Sequence, residues 1–532
     1  MTATISPLIL KAWLHDGGEI ALLDVREHGQ FGESHLFYAV PLPFSRLELD
    51  IWRLVPRNSV RCVVYDSGAH DSFDVARRAA ARLEALGWTN VCVLEGGTRA
   101  WQAAGYALFA GVNLPSKSFG ELAEHAYRTP RISADDLAQR LARGEQLVVL
   151  DGRPFSEFRK MNIPTALCCP NGELPYRIKS IVPDESTPIV VNCAGRTRSI
   201  IGAQTLINLG LRNPVYALEN GTQGWYLRDH ALEHGGTRTY APDSGTTVLR
   251  DNARKLAARF SAASVDAATV REWAAQHDRT LYLCDVRMPE EFAQGSLPGA
   301  QHTPGGQLMQ AFDQYVGVRG ARLVLFDDDG VRAPTVASWL RQMGHEAWVL
   351  QEGLASGLAL PSRTATQSPP APARIDAIEA ARLADRHEIA IIDLRGSMEF
   401  RKAHIAGATW TIRPRLAEAL RDERRPVVIV ADDDAAARWA VETEWPQTLP
   451  QPLLLKGGLP AWRQAGLPVE ATTGTPPDAD CIDFLFFVHD RHDGNKEAAR
   501  RYLAWETGLV AQLDDQEIAA FRLPAAERSH DR

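Results

Sequence analysis

The residues best suited to chemistry lie in one stretch, Val191-Asn192-Cys193-Ala194-Gly195-Arg196-Thr197-Arg198-Ser199. A short run of apolar residues ends at Cys193, and a helical pattern begins near Ser199. Cys193 therefore reads as the first residue of a tight loop between a buried strand and a helix N-terminus. Successive backbone N–H groups in such a loop converge on an anion, and the helix dipole adds to the attraction. Arg196 and Arg198 add positive charge. Both effects favour thiolate over thiol, and the thiolate is the nucleophile. Gly195 suits positive φ and close approach of a ligand. Ser199 is placed to cap the helix or to donate to a bound anion. The alternative for Cys193 alone is a buried structural thiol at a strand end. The glycine, two arginines and serine that follow it favour the nucleophile.

The strand that carries this loop belongs to a pattern occurring four times. First come LLDVREHGQF, VLDGRPFSEF, LCDVRMPEEF and IIDLRGSMEF, each with Asp and Arg two apart and Phe seven after the Asp. The pairs are Asp24 and Arg26, Asp151 and Arg153, Asp285 and Arg287, Asp393 and Arg395. Next come strand-like runs ending at Asp66, Cys193, Asp327 and Ala431. Glycine turns follow, at Gly97, Gly221, Gly353 and Gly458. The short, non-alternating apolar runs predict buried parallel strands. Segments 72–87 and 199–210 predict helices between them. The class is therefore α/β, with a parallel sheet flanked by helices in each repeat. A repeat of about 110–130 residues is large enough to bury its own core, so each is a domain and not a solenoid unit. The boundaries read as 1–110, 126–240, 260–362 and 374–472, with a C-terminal extension over 473–532. A Pro/Ala/Ser linker covers 364–373. The connecting segments 111–130 and 235–260 each have room for a short helix.

Composition narrows the function. The chain has 532 residues, 45% hydrophobic and 23% charged, as a soluble globular protein should. No apolar run approaches the ~18–20 residues of a membrane span. The N-terminus has no basic n-region and no small-residue cleavage site, which predicts no signal peptide. A net charge of −8 argues against nucleic-acid binding. Seven cysteines without a CxxC pair exclude a disulfide scaffold and a zinc ribbon, and predict a reducing, cytoplasmic setting. No metal site and no cofactor are expected.

The Asp-x-Arg…Phe segments, the strand-Cys loop and the late Gly-x-x-x-Trp elements (Gly97–Trp101, Gly221–Trp225, Gly458–Trp462) resemble the rhodanese family of sulfurtransferases. The resemblance covers roughly residues 5–470. It implies four tandem rhodanese-like domains, each a small, mostly parallel five-stranded sheet flanked by helices, followed by a helical tail. It also implies a mechanism. Cys193 would take sulfane sulfur from thiosulfate or a persulfide donor, forming a persulfide. A thiol or cyanide acceptor, free or on an acceptor protein, would remove it. Ala194 to Arg198, closed by Ser199, would cradle that sulfur, with Arg196 and Arg198 contacting a dianionic donor. Asp151 and Arg153 would form a supporting ion-pair shell, a structural role since their counterparts recur in every repeat. Cysteine phosphatases and arsenate reductases use a longer loop, with Arg six residues after Cys. Here that position is Ser199 and the arginine stands at five, which favours sulfur transfer.

Only the second repeat has a thiol at the loop position. Asp66, Asp327 and Ala431 in the others predict inactive domains that serve as architecture or docking surfaces. A protein acting mainly as a docking scaffold in sulfur or redox metabolism is the reading from a different class. The acidic triplets near Asp327 and Ala431 read as exposed turn carboxylates. Gly68 and Ser72 stand in register with Gly195 and Ser199. Cys168 and Cys169 read as packing residues, with a relay thiol for the Cys193 persulfide as the functional alternative. In the tail, His489 and His492 beside Asp490 and Asp493 are too few for a metal site. The segment is expected to pack on a domain or another subunit. Oligomeric state is not written in the sequence.

Overall fold

Each repeat is built on its own five-stranded parallel sheet, and all four sheets share one strand order. In the second, the order is Arg131–Ile132, Val215–Leu218, Ile189–Asn192, Val148–Asp151 and Leu167–Cys168. The computed structural model describes residues 2–68, 74–242, 244–361, 368–486 and 495–524.

The apolar runs form strands because both faces of the sheet are covered. Alternate residues of one strand enter different cores. Val191 and Leu150 pack with Leu174, Ile178 and Leu206 on one face. Val190 and Val149 pack with Leu137, Phe158 and Trp225 on the other. Such a strand reads as continuously apolar, as a parallel strand should.

The helix expected over 199–210 runs from Thr197 to Asn208. That expected over 72–87 runs from Val75 to Ala85. Ser72 lies outside the described residues. Both connecting segments contain a helix, Leu114–Tyr127 and Arg250–Arg259. No helix among the described residues is long and apolar enough to cross a membrane.

The chain divides into two compact units. One comprises residues 1–12, 21–112 and 364–486; the other comprises 13–20, 113–363 and 487–532. The second unit holds the Cys193 and Asp327 sheets and the tail helix Lys496–Thr507. His489, Asp490, His492 and Asp493 lie outside the described residues.

Candidate active site

Cys193 follows directly on the central strand Ile189–Asn192, at the carboxyl edge of the sheet. Open α/β sheets bind ligands at that edge. Helix Thr197–Asn208 opens just beyond the loop. Ser199 Oγ donates to the Arg196 carbonyl at 2.7 Å and fixes the first turn.

The loop is held from beneath by the third landmark. The Cys193 carbonyl accepts the Thr222 N–H at 2.8 Å. Gly221, at φ +54°, lies so close that an added Cβ would stand 2.2 Å from the Cys193 oxygen. Gly97 meets Asp66 O at 2.2 Å and Gly353 meets Asp327 O at 2.1 Å in the same way. The recurring glycine thus seats the loop, whatever residue begins it. Gly195 differs from the expectation: its φ is not positive. What its missing side chain provides is space, because a Cβ there would stand 2.8 Å from Glu506 Oε2.

Both loop arginines are paired with carboxylates. Arg196 donates to Glu121 at 2.7 and 2.9 Å, and also to Glu124. Arg198 makes a two-pronged contact with Glu157, 2.8 Å on each prong. The expectation that they grip a dianionic donor therefore meets a different arrangement. A buried guanidinium needs a counter-charge, and these carboxylates supply it. Glu121 and Glu124 lie on the connecting helix Leu114–Tyr127, which brings a third charged residue, Lys117, to the loop.

Cys193 is 2% exposed. Burial pushes its thiol up; Arg198 and hydrogen bonds with Ser199 oppose this, while Glu506 adds to it. The expected thiolate preference is thus outweighed as the site stands. Desolvation of a charged sulfur costs more than one nearby guanidinium returns.

Asp151 and Arg153 are 0% and 1% exposed and pair through Nε and Nη2 at 2.8 and 2.7 Å. Asn192, the residue before Cys193, donates to the same carboxylate at 2.9 Å. Equivalent two-pronged pairs join Arg26 to Asp24, Arg287 to Asp285 and Arg395 to Asp393. The pair ties strand to loop with or without a thiol nearby.

Cys169 lies in the apolar core. Cys168 lies on the far edge strand and donates to the Arg153 carbonyl at 3.5 Å. It also lines a groove of about 1110 Å³ with Phe155, Tyr176 and Tyr240. Burial pushes the Cys168 thiol up to about 12. Strand Val148–Asp151 separates it from the Cys193 strand, so their backbones are about 10 Å apart.

The Asp327 and Asp66 loops fill themselves. Asp327 accepts the Gly330 and Ala333 N–H groups at 2.9 and 2.8 Å. Asp66 accepts those of Gly68 and Ala76 at 2.8 and 3.0 Å. The reading of the Asp327 triplet as exposed turn carboxylates needs correction, since Asp327 and Asp329 are 4% and 3% exposed. They are buried because the loop amides and Arg332 satisfy them; Arg332 Nε meets Asp329 at 2.6 Å. No group of residues suited to a metal ion occurs among the described residues.

Lys117, Glu121, Glu124, Glu157 and Glu506 were not singled out in the sequence. A signal existed for the first three: spacings of four and three put them on one helix face.

Comparison with known proteins agrees with this architecture. A rhodanese-like domain profile matches residues 6–104, 133–228, 266–359 and 376–465. The crystal structure of a thiosulfate sulfurtransferase from Pseudomonas aeruginosa superimposes with a TM-score of 0.89. It is 40% identical and covers 99% of this chain and 100% of that one. A Bacillus subtilis protein provisionally named a sulfur carrier, YrkF, is 28% identical over 102 residues, 19% of this chain. The chain spans 54% of the length of that curated relative. With four profile matches over most of its length, the chain belongs to the rhodanese family.

Proposed function

We propose that this protein is a sulfurtransferase that carries sulfane sulfur on Cys193. The observation that carries the reading is the loop itself. One thiol stands at the end of a central strand, facing a helix N-terminus, where the other described loops of this kind hold carboxylates or alanine. The 40% identical sulfurtransferase, alike over nearly the whole chain, supports thiosulfate as a donor.

In the first step the Cys193 thiolate attacks the outer sulfur of thiosulfate. The sulfur–sulfur bond of the donor breaks, and sulfite leaves with the bonding pair. Cys193 is left as a persulfide, whose negative charge the amides of the helix N-terminus can stabilise. In the second step a thiophilic acceptor attacks the outer sulfur and the cysteine thiolate is released. Cyanide would give thiocyanate, and a thiol would give a new persulfide. No external oxidant or reductant enters. Arg198 acts on the cysteine electrostatically, favouring the thiolate. Arg196 holds the loop to the connecting helix.

The Asp66, Asp327 and Ala431 domains carry no sulfur in this scheme. The Asp66 and Asp327 carboxylates already accept the loop amides that would otherwise meet an anion. The test is incubation of the full chain with thiosulfate, followed by cyanide release and mass spectrometry of the Cys193 peptide. One cyanide-labile sulfur on Cys193 is expected. A protein that acquires none from thiosulfate or a persulfide donor is not this enzyme.

A further inference from the structure

The Cys193 loop is covered by groups outside the fourfold pattern. Helix Lys496–Thr507 places Tyr502 and Glu506, one turn apart, against Gly195 and Thr197. Glu506 is 2% exposed. Its Oε1 accepts from Thr197 Oγ1 at 3.1 Å and from Lys117 Nζ at 3.3 Å. Its Oε2 points over Gly195 and is a buried oxygen with no hydrogen-bond partner among the described residues. Lys117 also donates to the Tyr502 hydroxyl and sits 4.7 Å from the Tyr502 ring and 5.0 Å from that of Trp505.

A buried carboxylate with half its acceptor capacity unused is an uncommon thing to keep in a folded site. Its surroundings explain what it is doing there. An ammonium, a hydroxyl and the positive end of a helix converge on one point, which is the environment of an anion. The protein's own carboxylate fills that point, over Gly195 and Thr197 of the loop in which Cys193 is buried.

We propose, on the footing of the sulfurtransferase reading, that Glu506 stands in for the anionic end of the sulfur donor. A small donor with an anionic group displaces Glu506 and moves helix Lys496–Thr507 off the loop. Lys117 and Thr197 then pass from the Glu506 carboxylate to the donor. Lys117, rather than Arg196 or Arg198, is the cation that holds the donor. Because Glu506 competes for the site, the apparent donor affinity is lowered by the fraction of molecules closed at any moment.

The experiment uses the full chain and two readouts. Iodoacetamide, which is neutral and needs no sulfur chemistry, reports access to Cys193 by peptide mass spectrometry. Thiocyanate formation from thiosulfate and cyanide gives KM. Glu506→Ala and the isosteric Glu506→Gln are expected to speed alkylation about tenfold and to lower the thiosulfate KM several-fold. Added to Glu506→Gln, where no closure remains to be lost, Lys117→Met is expected to raise KM about tenfold, since one charge-assisted contact is lost. Alkylation rate and KM within twofold of wild type in both Glu506 variants would overturn the closure. A KM in the Glu506→Gln, Lys117→Met double variant equal to that of Glu506→Gln alone would overturn the donor assignment. Faster alkylation of the Glu506 variants, with no sulfur ever loaded on Cys193, keeps the closure and sinks the sulfurtransferase reading instead.

Discussion

The Cys193 and Asp327 loops stand at the same place on equivalent sheets, yet each meets its need for negative charge differently. In the third domain the charge is built in: Asp327 occupies the first loop position and takes the Gly330 and Ala333 amides. In the second domain the first position is a thiol, and the negative charge comes from Glu506 on a separate helix. The Asp327 carboxylate is tethered by a single methylene to the backbone that it satisfies and cannot leave. The Glu506 carboxylate belongs to a helix far along the chain, and among the described residues it meets the loop through side chains; in the proposed opening it leaves. One cradle is thus sealed and the other is exchangeable.

The largest effect expected from this contrast is on Cys193 itself. Cys193→Ala should remove cyanide-labile sulfur altogether, a loss above about a thousandfold in transfer rate. The reciprocal change, Asp327→Cys, should restore nothing to a Cys193→Ala background. Asp329, whose charge acts on position 327, would remain beside the new thiol and keep donors away. Transfer above a hundredth of wild type in that double variant would show that the two cradles are interchangeable.

Next in size is Arg332, which is fully buried. It joins Glu173, Glu291, Asp328 and Asp329 through contacts of 2.6–2.9 Å. Arg332→Ala would leave two buried carboxylates, Glu173 and Asp329, without this partner and should cost about 3–5 kcal/mol, read as a lowered urea midpoint. A loss below about 1 kcal/mol would show that water or a rearranged partner replaces the guanidinium.

The pH dependence of Cys193 alkylation should then move in opposite directions in two variants. Arg198 stabilises the thiolate and Glu506 opposes it. Arg198→Ala should therefore shift the rate inflection to higher pH, and Glu506→Gln to lower pH. A common direction would mean that both substitutions act only by changing burial. The smallest effect belongs to Ser199→Ala. It removes the donor to Arg196 O and a group that favours the Cys193 thiolate, and should slow alkylation at neutral pH about two- to fivefold, as one net hydrogen bond implies.

Much of the fold was legible in the sequence. The three landmarks recur because each serves the same tertiary joint: Asp151 locks onto Arg153, Asn192 binds that carboxylate, and Gly221 backs the Cys193 carbonyl. Local pattern and tertiary role coincide there, so the spacing reports both. The closing groups were not legible. Lys117 is 76 residues before Cys193 and Glu506 is 313 after it, on helices outside the three landmarks. The tail read as a packing segment, and no pattern said which surface its helix covers.

Taken alone, the sequence determined the number of domains, the strand-loop-helix setting of Cys193 and the absence of a thiol from three of the four loops. These follow from residue types at short, repeated spacings, where backbone geometry leaves little choice. The tertiary structure decided the charge state and the access. It put Arg196 and Arg198 on glutamates instead of on solvent, buried Cys193, and set Glu506 against Gly195 and Thr197 of the same loop. Desolvation and ion pairing depend on which distant side chains meet, and spacing along the chain does not fix those meetings.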